Sequence, residues 1–137
     1  MIDLKDAIIE DLKTDATLVG LVGSAIYGPP GLPANFSASK AVLITNDGGT
    51  PEDWGPMNIT RMQVRCYGET AKDANTVWRA VYDAVARKGV RNVVVGPDTV
   101  RIFYSSGLSG PIDYVEPVTE FPAVLGYLAA SIYEVPV

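Results

Sequence analysis

Between Ile59 and Tyr67 the chain alternates. Met62, Val64 and Cys66 fall on one side, and Arg61, Gln63 and Arg65 on the other. A period of two is what an antiparallel strand needs when one face meets a core and the other meets water. Past Gly68 the period changes. From about residue 71 to 88, Ala74, Val77, Trp78, Val81 and Val85 form one apolar stripe, while Lys72, Asn75, Thr76, Arg79, Asp83 and Arg87 lie mostly on other faces. Thr70, with Asp73 three residues on, has the pattern of a helix cap that ties down free backbone N–H groups. The spacing therefore predicts a strand, a glycine corner and a long amphipathic helix lying flat on a sheet.

Asp3 can cap a helix starting at Leu4, with Leu4, Ile8 and Leu12 near one face, and Asp15 can cap a second from Ala16 to Val22 that Gly23 stops. Gly28-Pro29-Pro30-Gly31-Leu32-Pro33 continues neither helix nor central strand and predicts a rigid surface loop. Ala41 to Thr45 is an apolar run of strand length, separated from the alternating strand by a long loop, Asn46 to Pro56. Further strands are predicted at Val93–Val95 and Thr99–Ser106 around a Gly96-Pro97-Asp98 turn, with a loop from Gly107 to Pro111. In the last segment, Val124 to Val135, apolar residues occupy both alternating sets, so that strand needs cover on two sides. Either a neighbouring copy or a sheet curled on itself with a helix on each side would provide it. The fold class expected is α+β: a mostly antiparallel sheet with one long amphipathic helix, about 71–88, and N-terminal helices packed on it.

With 137 residues, 47% of them apolar and 20% charged, the chain suits one hydrophobic core and a single domain spanning 1–137. Its apolar stretches fall short of a bilayer span, and no basic region precedes an apolar segment at the N-terminus, so neither a membrane anchor nor a signal peptide is expected. Eleven basic against sixteen acidic side chains, a net charge of −5, oppose tight binding to a nucleic-acid backbone. The single cysteine, Cys66, reads as a small buried hydrophobe.

A phosphate cradle needs several glycines, a Lys and a hydroxyl, whereas the Gly68 corner is followed by Glu69 and, a turn later, Asp73, whose carboxylates would repel an anion. The corner reads as a strand-to-helix joint. The chain has no histidine, which removes the commonest general base and the usual Ser or Cys triad. Ser109 in Gly107-Leu108-Ser109-Gly110 lacks the spacing of a nucleophile turn, and Glu10-Asp11 and Glu52-Asp53 read as solvated charge. Asn46-Asp47-Gly48-Gly49 lacks the alternating oxygen ligands of a calcium loop. No catalytic, cofactor-binding or metal-binding residue is assigned, and no enzyme is expected. Trp54 stands out in its polar, Gly-rich loop, either pinned back on its own domain or serving as an anchor for a partner.

The order of elements resembles that of the tail terminator (tail completion) proteins of long-tailed bacteriophages. The likeness is carried by Leu18-Val19-Gly20 to Ile26-Tyr27-Gly28-Pro29-Pro30, by Ala41-Val42-Leu43-Ile44, by Ile59 to Gly68 and by Ala71 to Ala86. The resemblance implies a structural virion protein, assembled in the host cytoplasm, that forms a hexameric ring on the head-proximal end of the tail tube. Such a ring ends tube polymerisation and provides the joint to the head connector, while DNA passes through its lumen without specific binding. It implies three partners: copies of the same chain, the tail tube protein and the head-tail connector or stopper. A head-side neck (head-completion) adaptor of similar fold is the alternative. On this basis Asp47, Glu52, Asp53, Trp54 and Met57 are candidates for contact with the tube or connector, and Leu125, Tyr127, Leu128 and Ile132 for contact between subunits.

Overall fold

The computed structural model describes residues 4–29, 31–37, 39–51, 57–86, 89–117 and 120–134. Three helices, α1 (Leu4–Leu12), α2 (Ala16–Val22) and α3 (Ala71–Ala86), accompany six strands: β1 (Ile26–Tyr27), β2 (Ala41–Pro51), β3 (Met57–Tyr67), β4 (Arg91–Val95), β5 (Asp98–Val115) and β6 (Pro122–Glu134). The strands form one sheet in the order β1-β2-β3-β6-β5-β4, antiparallel throughout except for the short β1–β2 pair. This is the α+β architecture expected.

The alternation in β3 decides which face is buried. Met62, Val64 and Cys66 point into the core together with Val42 and Ile44 of β2 and Val124, Leu128, Ala130 and Ile132 of β6. The stripe Ala74, Val77, Trp78, Val81 and Val85 of α3 closes over them, all buried. Helix α1 adds Ile8 and Leu12 and touches β4 at one edge of the sheet and β1 and β2 at the other, so the sheet curls around its helices.

Local caps form where the sequence places them. The Asp15 carboxylate accepts the Leu18 N–H at 2.9 Å and Gly23 ends α2 at φ 61°, a left-handed conformation that suits glycine. The Thr70 hydroxyl accepts the Asp73 N–H at 3.2 Å. Asp3, the expected cap of α1, lies outside the described residues.

Two expectations are corrected, and one of two alternatives falls. Asn46 to Pro56 is not a loop over most of its described length. Strand β2 runs on to Pro51 and pairs with β3 up to Asn58, absorbing the Asp47-Gly48 step in a register shift between Asn46 and Gly49. Gly107 to Pro111 is likewise strand, within an 18-residue β5 whose register shifts let it follow β6 from Glu134 down to Pro122. Finally, the last strand is not flanked by helices on both sides, because the three described helices pack on the same face.

The Gly68 corner is a joint built on close approach. A Cβ there would lie 2.6 Å from the Ala74 backbone nitrogen and 2.6 Å from the Asp73 Cβ, so only glycine lets β3 turn directly into α3.

Candidate interaction surface

Among the described residues, the second face of the sheet is covered at one end and ranges from buried to exposed beyond it. Cover comes from the segment after the Pro-rich turn. Phe36 meets Tyr67 and Phe121 edge-on, with ring centroids 5.8 and 5.4 Å apart, over a small cluster of Ala41, Leu43 and Ala123. Beneath this lid the Tyr67 and Tyr114 hydroxyls both donate to one oxygen of Glu116, at 2.8 and 3.0 Å. Burial, reinforced by the Glu116 carboxylate, pushes the Tyr67 phenol up to about 12, and burial together with the neighbouring Tyr67 raises Tyr114 as well. The Arg65 guanidinium stands 3.8 Å from the same carboxylate oxygen, and its Nε is buried without a hydrogen-bond partner. Neither the trio nor the lid was anticipated, since Tyr67 and Glu116 are 49 residues apart and no local pattern links them.

Beyond the lid Arg61 is exposed, Gln63 and Arg65 are half-buried and Ala129 is buried. Arg61, Gln63 and Arg65 alternate along β3, opposite Ala129, Tyr127 and Leu125 of β6, and Ile112 of β5, 53% exposed, pairs with Leu125. Tyrosine, arginine and partly exposed aliphatic side chains in one patch are the composition that dominates protein–protein contacts.

The candidate contact residues separate on this framework. Leu125 and Tyr127 stand on the open face, half-buried. Leu128 and Ile132 point the other way and are fully buried among the core residues, so as subunit contacts they are corrected: a neighbouring copy has no access to them. Asp47 falls at the register shift in β2, and Met57 opens β3 opposite Tyr133, at the far end of the sheet from the aromatic lid. Glu52, Asp53 and Trp54 lie outside the described residues.

Among the described residues no three Cys, Asp or Glu side chains gather as metal ligands, and no helix is long and apolar enough to cross a membrane. Cys66 is wholly buried, which pushes its thiol well above the ordinary range and keeps it protonated.

The architecture is that of a curled antiparallel sheet with its helices on one face and an arginine-bearing, partly apolar patch on the other. A chain in the solved virion of a native gene transfer agent particle has the same fold, with a TM-score of 0.70 at 19% identity over 95% of this chain and 94% of that one. The bacteriophage SPP1 gp17 protein aligns over 97% of this chain and 88% of its own at 17% identity, with a TM-score of 0.47. No protein-family model and no curated protein sequence matches the chain.

Proposed function

We propose that this chain is a non-enzymatic virion protein of a phage-like particle. In this reading it forms a hexameric ring at the head-proximal end of the tail tube, where it stops polymerisation and joins the tail to the head connector. One observation carries the reading: a fold shared over nearly its whole length with a chain of a gene transfer agent virion. The open sheet face supports it, because a subunit that works by contact needs an accessible patch of anchoring side chains.

The arm formed by β2 and β3 is the proposed contact with the tube or connector. It carries Asp47 and Met57, and the candidates Glu52, Asp53 and Trp54 follow β2 in the sequence. A ring of such subunits lets DNA pass through a lumen that the overall negative charge keeps from gripping the backbone.

Particles assembled without the chain test the reading by electron microscopy. A terminator predicts tails of uncontrolled length. Full heads that leak DNA or fail to join normal tails would assign the chain to the head side of the neck, and normal particles would refute both roles.

A further inference from the structure

The connection from β1 to β2 carries the lid over the second face. Its described hydrogen bonds stay inside it. The Gly31 N–H donates to the Gly28 carbonyl at 3.1 Å, the Phe36 N–H to the Pro33 carbonyl at 3.0 Å, and the Ser39 hydroxyl to the Ser37 carbonyl at 3.1 Å. Among the described residues no hydrogen bond joins 31–37 to the sheet. Two half-buried side chains, Leu32 and Phe36, fasten the lid, while Pro33, Ala34, Asn35 and Ser37 are exposed.

The seat beneath is tied down differently. Tyr67 belongs to β3, and its hydroxyl and that of Tyr114 donate to Glu116. The Glu116 N–H donates to the Phe121 carbonyl at 3.0 Å and the Glu120 N–H to the Glu116 carbonyl at 2.9 Å, so the second ring that Phe36 meets is held by a hydrogen-bonded turn. The seam between lid and seat is apolar contact. Segments held by few buried apolar side chains and no ladder hydrogen bonds open at lower free energy than core strands. Gly31 stands at the start of the lid at φ 129°, with no atom within 4 Å of where a Cβ would be, an unhindered position for a hinge.

Cross-strand register shows what the lid hides. Ala41, Tyr67, Ala123 and Tyr114 stand side by side across β2, β3, β6 and β5, and Leu43, Arg65, Leu125 and Ile112 form the next row. Ala41, Leu43, Tyr67 and Ala123 are buried, whereas Leu125 is half-buried and Ile112 exposed.

We infer that residues 31–37 lift off the second face as a unit while the rest of the subunit stays folded, joining the apolar row beneath them to the row beside it. The lid is a built-in control on how much apolar surface the subunit presents.

Thiol reactivity of the full chain tests it. Leu43→Cys puts a probe under the lid, and Ala41→Cys repeats the reading with a smaller change of volume. The native Cys66, wholly buried in the helix-covered core, reports opening of that core in the same molecules. Circular dichroism checks that each variant folds, and reaction with an aromatic disulfide reagent is followed site by site by peptide mapping. The probes should react roughly tenfold or more faster than Cys66, yet more slowly than a free thiol. Their rates should depend less steeply on urea, because lifting a lid exposes less surface than unfolding. Phe36→Ala, which removes the ring that meets Tyr67 and Phe121, should speed the reaction.

If both probes react at the Cys66 rate and with its urea dependence, the lid moves only when the subunit unfolds, and the inference is overturned. Reaction as fast as a free thiol, or a rate indifferent to Phe36→Ala, would mean that 31–37 does not cover the face and would overturn it equally.

Discussion

Trp78 has room for its indole because position 126 carries no side chain. A Cβ added at Gly126 would overlap the Trp78 ring, so one large residue of α3 and one absent side chain of β6 form a single fitted contact. Gly126→Ala should therefore destabilise the protein by about 1–3 kcal/mol through overpacking, and Trp78→Ala by about 3–5 kcal/mol through the cavity it leaves. Urea denaturation measures both, and a Gly126→Ala protein as stable as the wild type would contradict the contact. Trp78 was legible in the sequence as a member of the helical stripe. Its seat was not, because nothing near Gly126 in the chain announces that a ring 48 positions away needs the space. At the end of the neighbouring strand β3, Tyr67 sets a pH dependence. Its phenol ionises near 10.0 when unfolded and at about 12 when folded, so the folded state keeps a proton that the unfolded chain loses. The associated stability is fully present below pH 10 and declines as pH rises towards 12. Melting temperatures measured from pH 9 to 11.5 should fall, and should fall less steeply in Tyr67→Phe.

Elements are joined by contacts that the linear pattern reveals only in part. Arg91 at the start of β4 donates from Nε and Nη2 to one Asp11 oxygen at 2.9 and 2.7 Å, tying the edge strand to the end of α1. The Asp11 side chain is only 4% exposed, so Arg91→Ala leaves a carboxylate without its guanidinium in the interior and should cost about 3–5 kcal/mol. In a double-mutant cycle, Arg91→Ala/Asp11→Ala should cost less than the sum of the single changes, and strict additivity would contradict the coupling. The sequence reads Asp11 as solvated charge, because its ion-pair partner lies 80 residues on. The alternation of β3 and the stripe of α3 were legible, since burial of one face imposes its period on the chain. The full lengths of β2 and β5 were not. Asn46 to Pro51 and Gly107 to Pro111 are rich in glycine and polar residues that resemble loops, and they become strand because a long neighbour offers its backbone hydrogen bonds and bulges absorb the mismatch. Strand β1 escaped notice because two residues show no period.

For the molecule as a whole, the curl of the sheet leaves one face to the helices and the other to a lid and a patch of arginines and apolar side chains. The sequence's double apolar set in β6 resolves into these two faces, one closed within the subunit and one available to a partner. An interface of the proposed kind buries roughly 1,200 Å² or more at each joint. The exposed Ile112 and half-buried Tyr127 are the side chains that such an interface would draw on. The direct test is a cryo-electron-microscopy map of the neck of the particle that carries this chain. The account predicts six copies in one closed ring at the head-proximal end of the tail tube. Finding the chain outside the neck, or absent from the finished particle, would contradict it.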